Sequence, residues 1–434
     1  MTSWSNRQSS PSEEGIGAHL LPVSAYSQEG GHLVVAGVRV EDIAAEFDTP
    51  FFLYDEEHLR ERCREIVAAF GRGAAFATKS FLTKAMALIA FEEGMSLDVS
   101  TGGELAVVLA AGVPATHIVF HGNNKSRVEL ETAVSAGVGR IVVDSFDEIE
   151  RLIAIDEIGE MRISIRVNPG VEAHTHEYIM TGQEDSKFGF SLGAGVADHA
   201  IERLRAHFGE RVDGVHAHIG SQIVEFEGFA LEVELLAPFV ERHELSEFVV
   251  GGGLGVAYCN DEVVPSLTSW AEDIRAHCAR AGIASGVALG VEPGRAIVAT
   301  AGMTCYRIGT IKEIVGVRTY VAVDGGMSDN PRPVLYGSGY EAFLARDIHA
   351  PRQKAVRVVG RHCESGDVIV FDGRLPVDTV VGDLLITPVT GAYGFSMASN
   401  YNRVCRPPVL FVADGEVKVV VRRETIEDLL RLEP

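Results

Sequence analysis

The sequence has no apolar run approaching the roughly 20 residues that span a bilayer, so nothing in it reads as a transmembrane helix. Its start, MTSWSNRQSSPSEEG, lacks both a positively charged opening and an apolar stretch, which excludes an ordinary secretory signal. Positive charge is also short: 38 Lys and Arg stand against 61 Asp and Glu, a formal net charge of -23. Such a field repels a phosphate backbone and argues against a nucleic-acid partner. Cysteine is sparse. Cys63, Cys259, Cys278, Cys305, Cys363 and Cys405 lie far apart, with no C-x-x-C pair and no zinc-finger spacing. No metal site is expected from them, and reduced thiols in a cytoplasmic protein are the reading.

What is present is an ordinary globular composition in a long chain. At 434 residues there is room for one large α/β barrel plus a smaller domain, or for two to three compact domains. Between about Ala74 and Pro293, short β-branched runs alternate with helical patterns. The strand candidates are AAFAT, SLDVS, HIVFH, RIVVD, ISIRV, GVHAHIG, FVVGG and ALGVE. Amphipathic stretches such as LTKAMALIAFEEG, RVELETAVSAG and FEGFALEVELLAPFVERH lie between them. This rhythm predicts a closed (β/α)8 barrel of the TIM type, with an open doubly wound sheet as runner-up. After about Ala296 the texture turns to Val/Ile/Thr-rich runs with DG turns, which predicts a C-terminal β domain closed by a short helix near ETIEDLLRL. HLVVAGVRV reads as N-terminal strands joining that domain. The expected division is an irregular or disordered leader over 1–32, N-terminal strands over 33–50, the barrel over 51–295 and the β domain over 296–434.

Barrels of this kind carry their chemistry at the C-terminal ends of the strands. Lys79, Asp98, His121, Asp144, Arg166 with Asn168, His218 with Ser221, Gly251-Gly252-Gly253 and Glu292-Pro293-Gly294-Arg295 fall there. Any one of these is more often just a polar strand end. GGGLG and EPGR fall on the last two strands, where bare backbone N–H groups suit a phosphate dianion. GGGLG is not the dinucleotide fingerprint, since after Gly251 and Gly253 the third glycine is Gly255 while Val256 holds the required place. Lys79 ends a strand in the apolar string AAFATKSF, where partial desolvation would lower its pKa and free an amine for imine formation. A lone lysine more often sends its ammonium to solvent. A lysine, a phosphate cradle and an acid (Glu292) in one barrel mouth are together what pyridoxal phosphate requires. A second group lies in the β region: Arg332 and Tyr336 in SDNPRPVLYGS, Cys363 and Glu364 in RHCESGD, and Tyr393 in TGAYG. A thiol at Cys363 is suited to protonate a carbanion, although an isolated Cys is more often a small buried hydrophobe.

The strings TPFFLYD, FHGNNKS, RVNPGVEAHTH with TGQEDSKFGF, GVHAHIGSQI, GGGLGVAY, VEPGRAIV, VDGGMSDNPRPVLY, HCESGDVI and GAYGFSMASNYN closely resemble meso-diaminopimelate decarboxylases. The resemblance runs from about Gly37 to Leu432, with the motifs in family order. It implies the barrel-plus-β fold, a homodimer, and decarboxylation of meso-2,6-diaminopimelate to L-lysine and CO2, the last step of lysine biosynthesis. It implies that Lys79 is the Schiff-base lysine, that His218 stacks on the cofactor ring, and that Glu292 meets the pyridine nitrogen. The implied cofactor site comprises Lys79, Asp98, His218, Ser221, Gly252, Gly253, Glu292, Gly294, Arg295 and Tyr393. Arg295, Arg332, Tyr336, Glu364 and Tyr393 match substrate positions. Cys363 matches a proton donor that reaches, with Glu364, into the neighbouring subunit's site. One departure is Ser80, where the family usually has Ala.

The distal end of diaminopimelate carries an ammonium and a carboxylate, and Glu364 with Arg332 (and Arg295) supplies the opposite charges. Related ornithine decarboxylases typically have Asp after the catalytic Cys, so Glu364 favours diaminopimelate. The rival readings are a paralogous decarboxylase of carboxynorspermidine, of ornithine or arginine, or of a carrier-bound glutamyl group. Beyond these stand an amino-acid racemase of the same architecture and a catalytically dead binding protein.

Overall fold

The computed structural model describes residues 15–155, 157–171 and 186–434. The strings EAHTH and TGQED, and the start of the leader, lie outside the described residues. Two compact units emerge: Leu59–Val256 with Val264–Val298, and the chain up to His58 with Ala257–Val263 and Ala299–Pro434.

The first unit is a barrel. Its strands are β1 (Ala75–Ala77), β2 (Ser96–Val99), β3 (Ile118–Phe120), β4 (Arg140–Val143), β5 (Arg162–Asn168), β6 (Val212–His216), β7 (Glu247–Val249) and β8 (Ala288–Gly290). Each pairs in parallel with the next, for example Ala75 opposite Ser96, Val142 opposite Ser164 and Glu247 opposite Ala288. The ends of the sheet meet: Ala74 bridges Val291 in parallel, and the Ala75 and Val291 amides donate to Val291 and Gly73 carbonyls, each at 2.9 Å. That closure rejects the open-sheet alternative, and all eight expected strands are present. The strands are short and nearly wholly buried, as parallel strands covered on both faces must be.

Helices follow the strands where capping residues start them. Thr83, Thr101, Ser126, Ser145 and Ser266 each accept a backbone N–H in the first turn of the next helix, a contact worth about 1 kcal/mol. Helix Arg127–Ala136 stops at Gly137, which takes φ +74°, a conformation open to glycine at little cost. At the N-terminal ends of the strands, Arg140 Nη1 meets Asp213 Oδ1 at 2.8 Å and Arg140 Nε meets Glu247 Oε2 at 2.9 Å. Arg162 Nε donates to Asp213 Oδ2 at 2.9 Å. These ion pairs link β4, β5, β6 and β7 across the barrel floor. A cavity of about 370 Å³ opens at the same end, lined by Arg72, Ser96, His117, Arg140, Glu247 and, from above, Glu292 among others.

The second unit is mainly β. Its central sheet runs in the order Val368–Leu375, Lys354–Val359, Arg318–Val323, Gly302–Ile314, Phe51–Asp55, Val409–Ala413, Glu416–Val421, with Leu384–Pro388 also paired to Gly302–Ile314. Leu33–Val35 forms a separate three-stranded sheet with Tyr26–Ser27 and Val38–Arg39. It joins the same core, where Leu33, Val35, Phe51, Leu53, Met303, Ile386 and Leu410 are buried together. Each such side chain contributes about 1.5–3 kcal/mol. Two details differ from the expected divisions. Phe51–Asp55 was assigned to the barrel but is a strand of this sheet, antiparallel to Gly302–Cys305 and parallel to Val409–Val412. Part of the leader is also ordered: Tyr26–Ser27 pairs with Leu33–Val34. The short terminal helix is Ile426–Leu430, started by a capping box between Thr425 and Asp428. Among the described residues no helix is long and apolar enough to cross a membrane.

Candidate active site

The barrel unit brings together most of its predicted residues at the strand C-termini. After β1 the chain enters a tight turn, Thr78–Ser80, in which Thr78 and Ser80 are buried and Lys79 is exposed. The expectation that Lys79 is partly desolvated is therefore corrected. Its charge still acts on the buried Asp98 and His218 at the strand C-termini, while Thr78 Oγ1 donates to the Asp98 carbonyl at 2.7 Å. Ser80 is also resolved. Its hydroxyl donates to the Ala77 carbonyl at 2.9 Å, and it packs where a Cβ on Gly294 would come within 2.9 Å of its Oγ.

Glu292, just after β8, is the centre of the electrostatics. It is buried, with Oε2 2.9 Å from His216 Nε2 and Oε1 2.9 Å from His121 Nε2. Asp98 Oδ1 lies 3.7 Å from the same His121 nitrogen. Burial opposes ionisation of Glu292, but His121 and His216 overcome it and hold its carboxyl well below the usual range. Burial lifts Asp98 to about 7, with the Glu292 charge adding to the rise and His121 opposing it. Burial pulls His216 down to about 4. His121 is raised despite its burial, because Asp98 and Glu292 both favour its charged form.

Opposite these, burial keeps His218 well below its ordinary value, aided by the charges of Lys79 and Arg166. Its Nδ1 accepts a long contact of 3.4 Å from the Gly252 amide. The glycine string beside it admits no side chain. A Cβ on Gly252 would stand 2.1 Å from the Glu292 carbonyl oxygen, and one on Gly253, at φ +111°, 2.4 Å from that of Gly220. Arg295 is buried and donates through Nη2 to Ser221 Oγ at 2.9 Å.

The β unit holds the second group. Arg332 is buried, with its guanidinium carbon 4.4 Å from the Tyr258 ring centre and 5.6 Å from that of Tyr340. Its Nη1 donates to Tyr340 Oη at 2.5 Å. Burial disfavours the charge on Arg332, but Tyr258 and Tyr340 more than compensate, and its pKa is raised. Among the described residues no carboxylate forms an ion pair with it, so Glu364 and Arg332 are not joined within the chain. Tyr336 and Tyr393 are half-buried, and Tyr393 also favours the Arg332 charge. Cys363 and Glu364 sit exposed on a loop. Asp367 pins that loop by accepting from the Met327 and His362 amides at 2.6 and 2.8 Å, and Asn402 accepts from the Cys363 amide at 3.1 Å.

Three participants were not singled out from sequence for these roles. His216 lies two residues before His218, and the two-residue strand period places both on one face, so that signal was available. Tyr258 and Tyr340 had none, because their contact with Arg332 is made only by the fold.

A family model for the pyridoxal-binding domain of pyridoxal-dependent decarboxylases matches residues 56–299, more than half of the chain. The diaminopimelate decarboxylase of Bacillus subtilis is 46% identical over 427 residues, 94% of this chain and 97% of that protein. The chain belongs to the diaminopimelate decarboxylase family. The member from Mycobacterium tuberculosis H37Rv is 44% identical over 439 residues, 96% of this chain and 98% of its own. Among solved structures, diaminopimelate decarboxylase from M. jannaschii in complex with L-lysine superposes with a TM-score of 0.87 at 30% identity, covering 95% of this chain and 98% of that one. Membership places this chain among the pyridoxal-dependent decarboxylases and agrees with its closed barrel and β unit.

Proposed function

We propose that this chain is a cytoplasmic enzyme that decarboxylates meso-diaminopimelate to L-lysine and CO2 with pyridoxal phosphate, as a homodimer whose subunits share active sites. The residues present fit the cofactor. Gly252 and Gly253 let the backbone after β7 lie against the Glu292 and Gly220 carbonyls, where any Cβ would clash, and Glu292 is held as a carboxylate in a buried place beside them. When bound, pyridoxal phosphate supplies an electron sink for the pair left behind as the α-carboxylate departs. Lys79 would hold the cofactor covalently through its amine, which the substrate amine would displace. Glu292 would keep the proton on the pyridine nitrogen. His218, uncharged through burial, would offer a flat ring face, and Asp98 feels the Lys79 charge. Ser221, Gly294 and Arg295 would answer the phosphate, together with the glycine edge and the Tyr393 hydroxyl.

The substrate choice rests on Arg332. A buried guanidinium against two tyrosine rings, with no carboxylate paired to it among the described residues, is built to receive one. Its natural occupant is an amino acid whose far end is anionic, with Glu364 taking the distal ammonium and Tyr336 a further polar contact. Cys363, exposed on its loop, gives its thiol proton to the α-carbon where CO2 was lost; the resulting thiolate regains a proton from solvent. The relatives named above, which share this substrate name, support the same reading.

The decisive experiment offers the purified protein meso-diaminopimelate, carboxynorspermidine, ornithine, arginine and a carrier-bound glutamyl group in parallel. Release of CO2 with formation of L-lysine from the first is the expected result. No lysine from diaminopimelate, or α-proton exchange without CO2 loss as in a racemase, would reject the proposal.

A further inference from the structure

We propose that His121 and His216 are positioning residues of the reaction, one a cation and the other a neutral donor, which together fix Glu292 as the ionised, aimed partner of the pyridine nitrogen. This rests on the reading of Glu292 given above and deepens it.

The need is set by burial. Glu292 is 8% exposed, and a carboxylate so placed takes up a proton unless other groups stabilise its charge. A protonated Glu292 could not hold the proton of a pyridine nitrogen. The two imidazoles meet the need from two different strands, since His121 follows β3 and His216 ends β6. Each approaches a different carboxylate oxygen at 2.9 Å, so the plane of the group is fixed while each oxygen retains a lone pair for a third partner. The rings brace each other edge to face, with centroids 4.8 Å apart at 66°.

Their roles differ. His216 Nδ1 is shut away from solvent and has no hydrogen-bond partner among the described residues. A second proton there would be stranded, so His216 remains neutral and donates through Nε2. His121 Nε2 stands 2.9 Å from Glu292 Oε1 but off the line of a good hydrogen bond, and 3.7 Å from Asp98 Oδ1. Its contribution is charge between two carboxyl groups. The other charged or titratable groups whose fields reach this cluster are Lys79 after β1, Glu104 in the helix after β2, Lys125 after β3, Arg166 in β5, His218 after β6 and Glu247 in β7. None of them hydrogen-bonds the Glu292 carboxylate among the described residues.

The test follows the pyridine nitrogen itself. Holoenzyme reconstituted with cofactor carrying 15N in the ring is titrated with pH by NMR, beside kcat and KM for the decarboxylation. His121→Phe and His216→Phe are expected to lower the pH at which the nitrogen loses its proton by about one unit, a tenfold weaker proton affinity, with kcat reduced and KM little changed. His216→Gln, which keeps an uncharged N–H donor and guards against misfolding of the Phe variant, restores the wild-type titration. His121→Gln restores it only in part, because the cation is missing. A wild-type nitrogen titration in both Phe variants, with Glu292→Gln shifted, overturns the proposal and leaves the Glu292 reading intact. An unchanged titration in Glu292→Gln overturns that reading and this proposal together. A stoichiometric divalent ion retained by the holoenzyme would make the trio a metal site and overturn the roles assigned here.

Discussion

At the scale of single residues, the turn Thr78–Ser80 sets the surroundings of the proposed cofactor anchor. Lys79 is exposed while its neighbours are buried, so its amine is available without the cost of burying a charge. Replacing Lys79 by Ala should abolish the cofactor adduct trapped by borohydride, as read by mass spectrometry of the digested protein. An adduct persisting on another lysine would move the anchor elsewhere. The residue type and place of Lys79 were legible in AAFATKSF, but its exposure was not, because a helical turn at Thr78–Ser80 replaces the strand alternation there. Ser80 stands where the family usually has Ala, and its hydroxyl is committed to Ala77, a local backbone bond that sequence does not display. His216 shows the opposite case, readable from period alone but overshadowed by His218.

At the scale of elements, ion pairs on the barrel floor reinforce strands already joined by the parallel ladder. Asp213 of β6 receives Arg140 of β4 and Arg162 of β5. Burial works against its charge, yet these two guanidinium groups depress its pKa below the ordinary value. The stability it contributes is therefore fully present above the unfolded carboxylate pKa of about 3.9 and is lost as pH falls through the lower folded value. Asp213→Asn should cost about 1.5–3 kcal/mol near neutral pH, seen as a fall in Tm of about 2–4 °C per kcal/mol. The two Tm curves should converge in acid; a gap independent of pH would deny the ionic origin. The barrel strands themselves were legible because Gly and capping residues punctuate them. The boundary at Phe51 was not, since FFLYD is buried at every position and carries no alternation to show which sheet it enters.

At the scale of the whole molecule, the proposed sharing of sites between subunits makes a prediction about mixtures. Lys79→Ala and Cys363→Ala subunits, each inactive alone, are mixed and allowed to exchange. A hybrid dimer then carries one site with both defects and one with neither, so about one quarter of wild-type activity returns if exchange is random. Recovery of nothing, with exchange confirmed by native mass spectrometry, would place Lys79 and Cys363 in the same subunit's site. The architecture of this scale was legible in the alternation of strand and helix signals and in the change of texture after Ala296. The tyrosine enclosure of Arg332 was not, because it depends on residues brought together from Tyr258, Arg332 and Tyr340 by folding alone.

The floor cavity gives Glu292 a second face. The carboxylate proposed to meet the pyridine nitrogen at the mouth also lines a space of about 370 Å³ at the far end of the barrel. A small cationic molecule lodged there would draw on the charge of Glu292 from behind, without touching the positions of amino acid or phosphate. Inhibition from that direction would lower Vmax and leave KM unmoved, so abundant substrate would not relieve it.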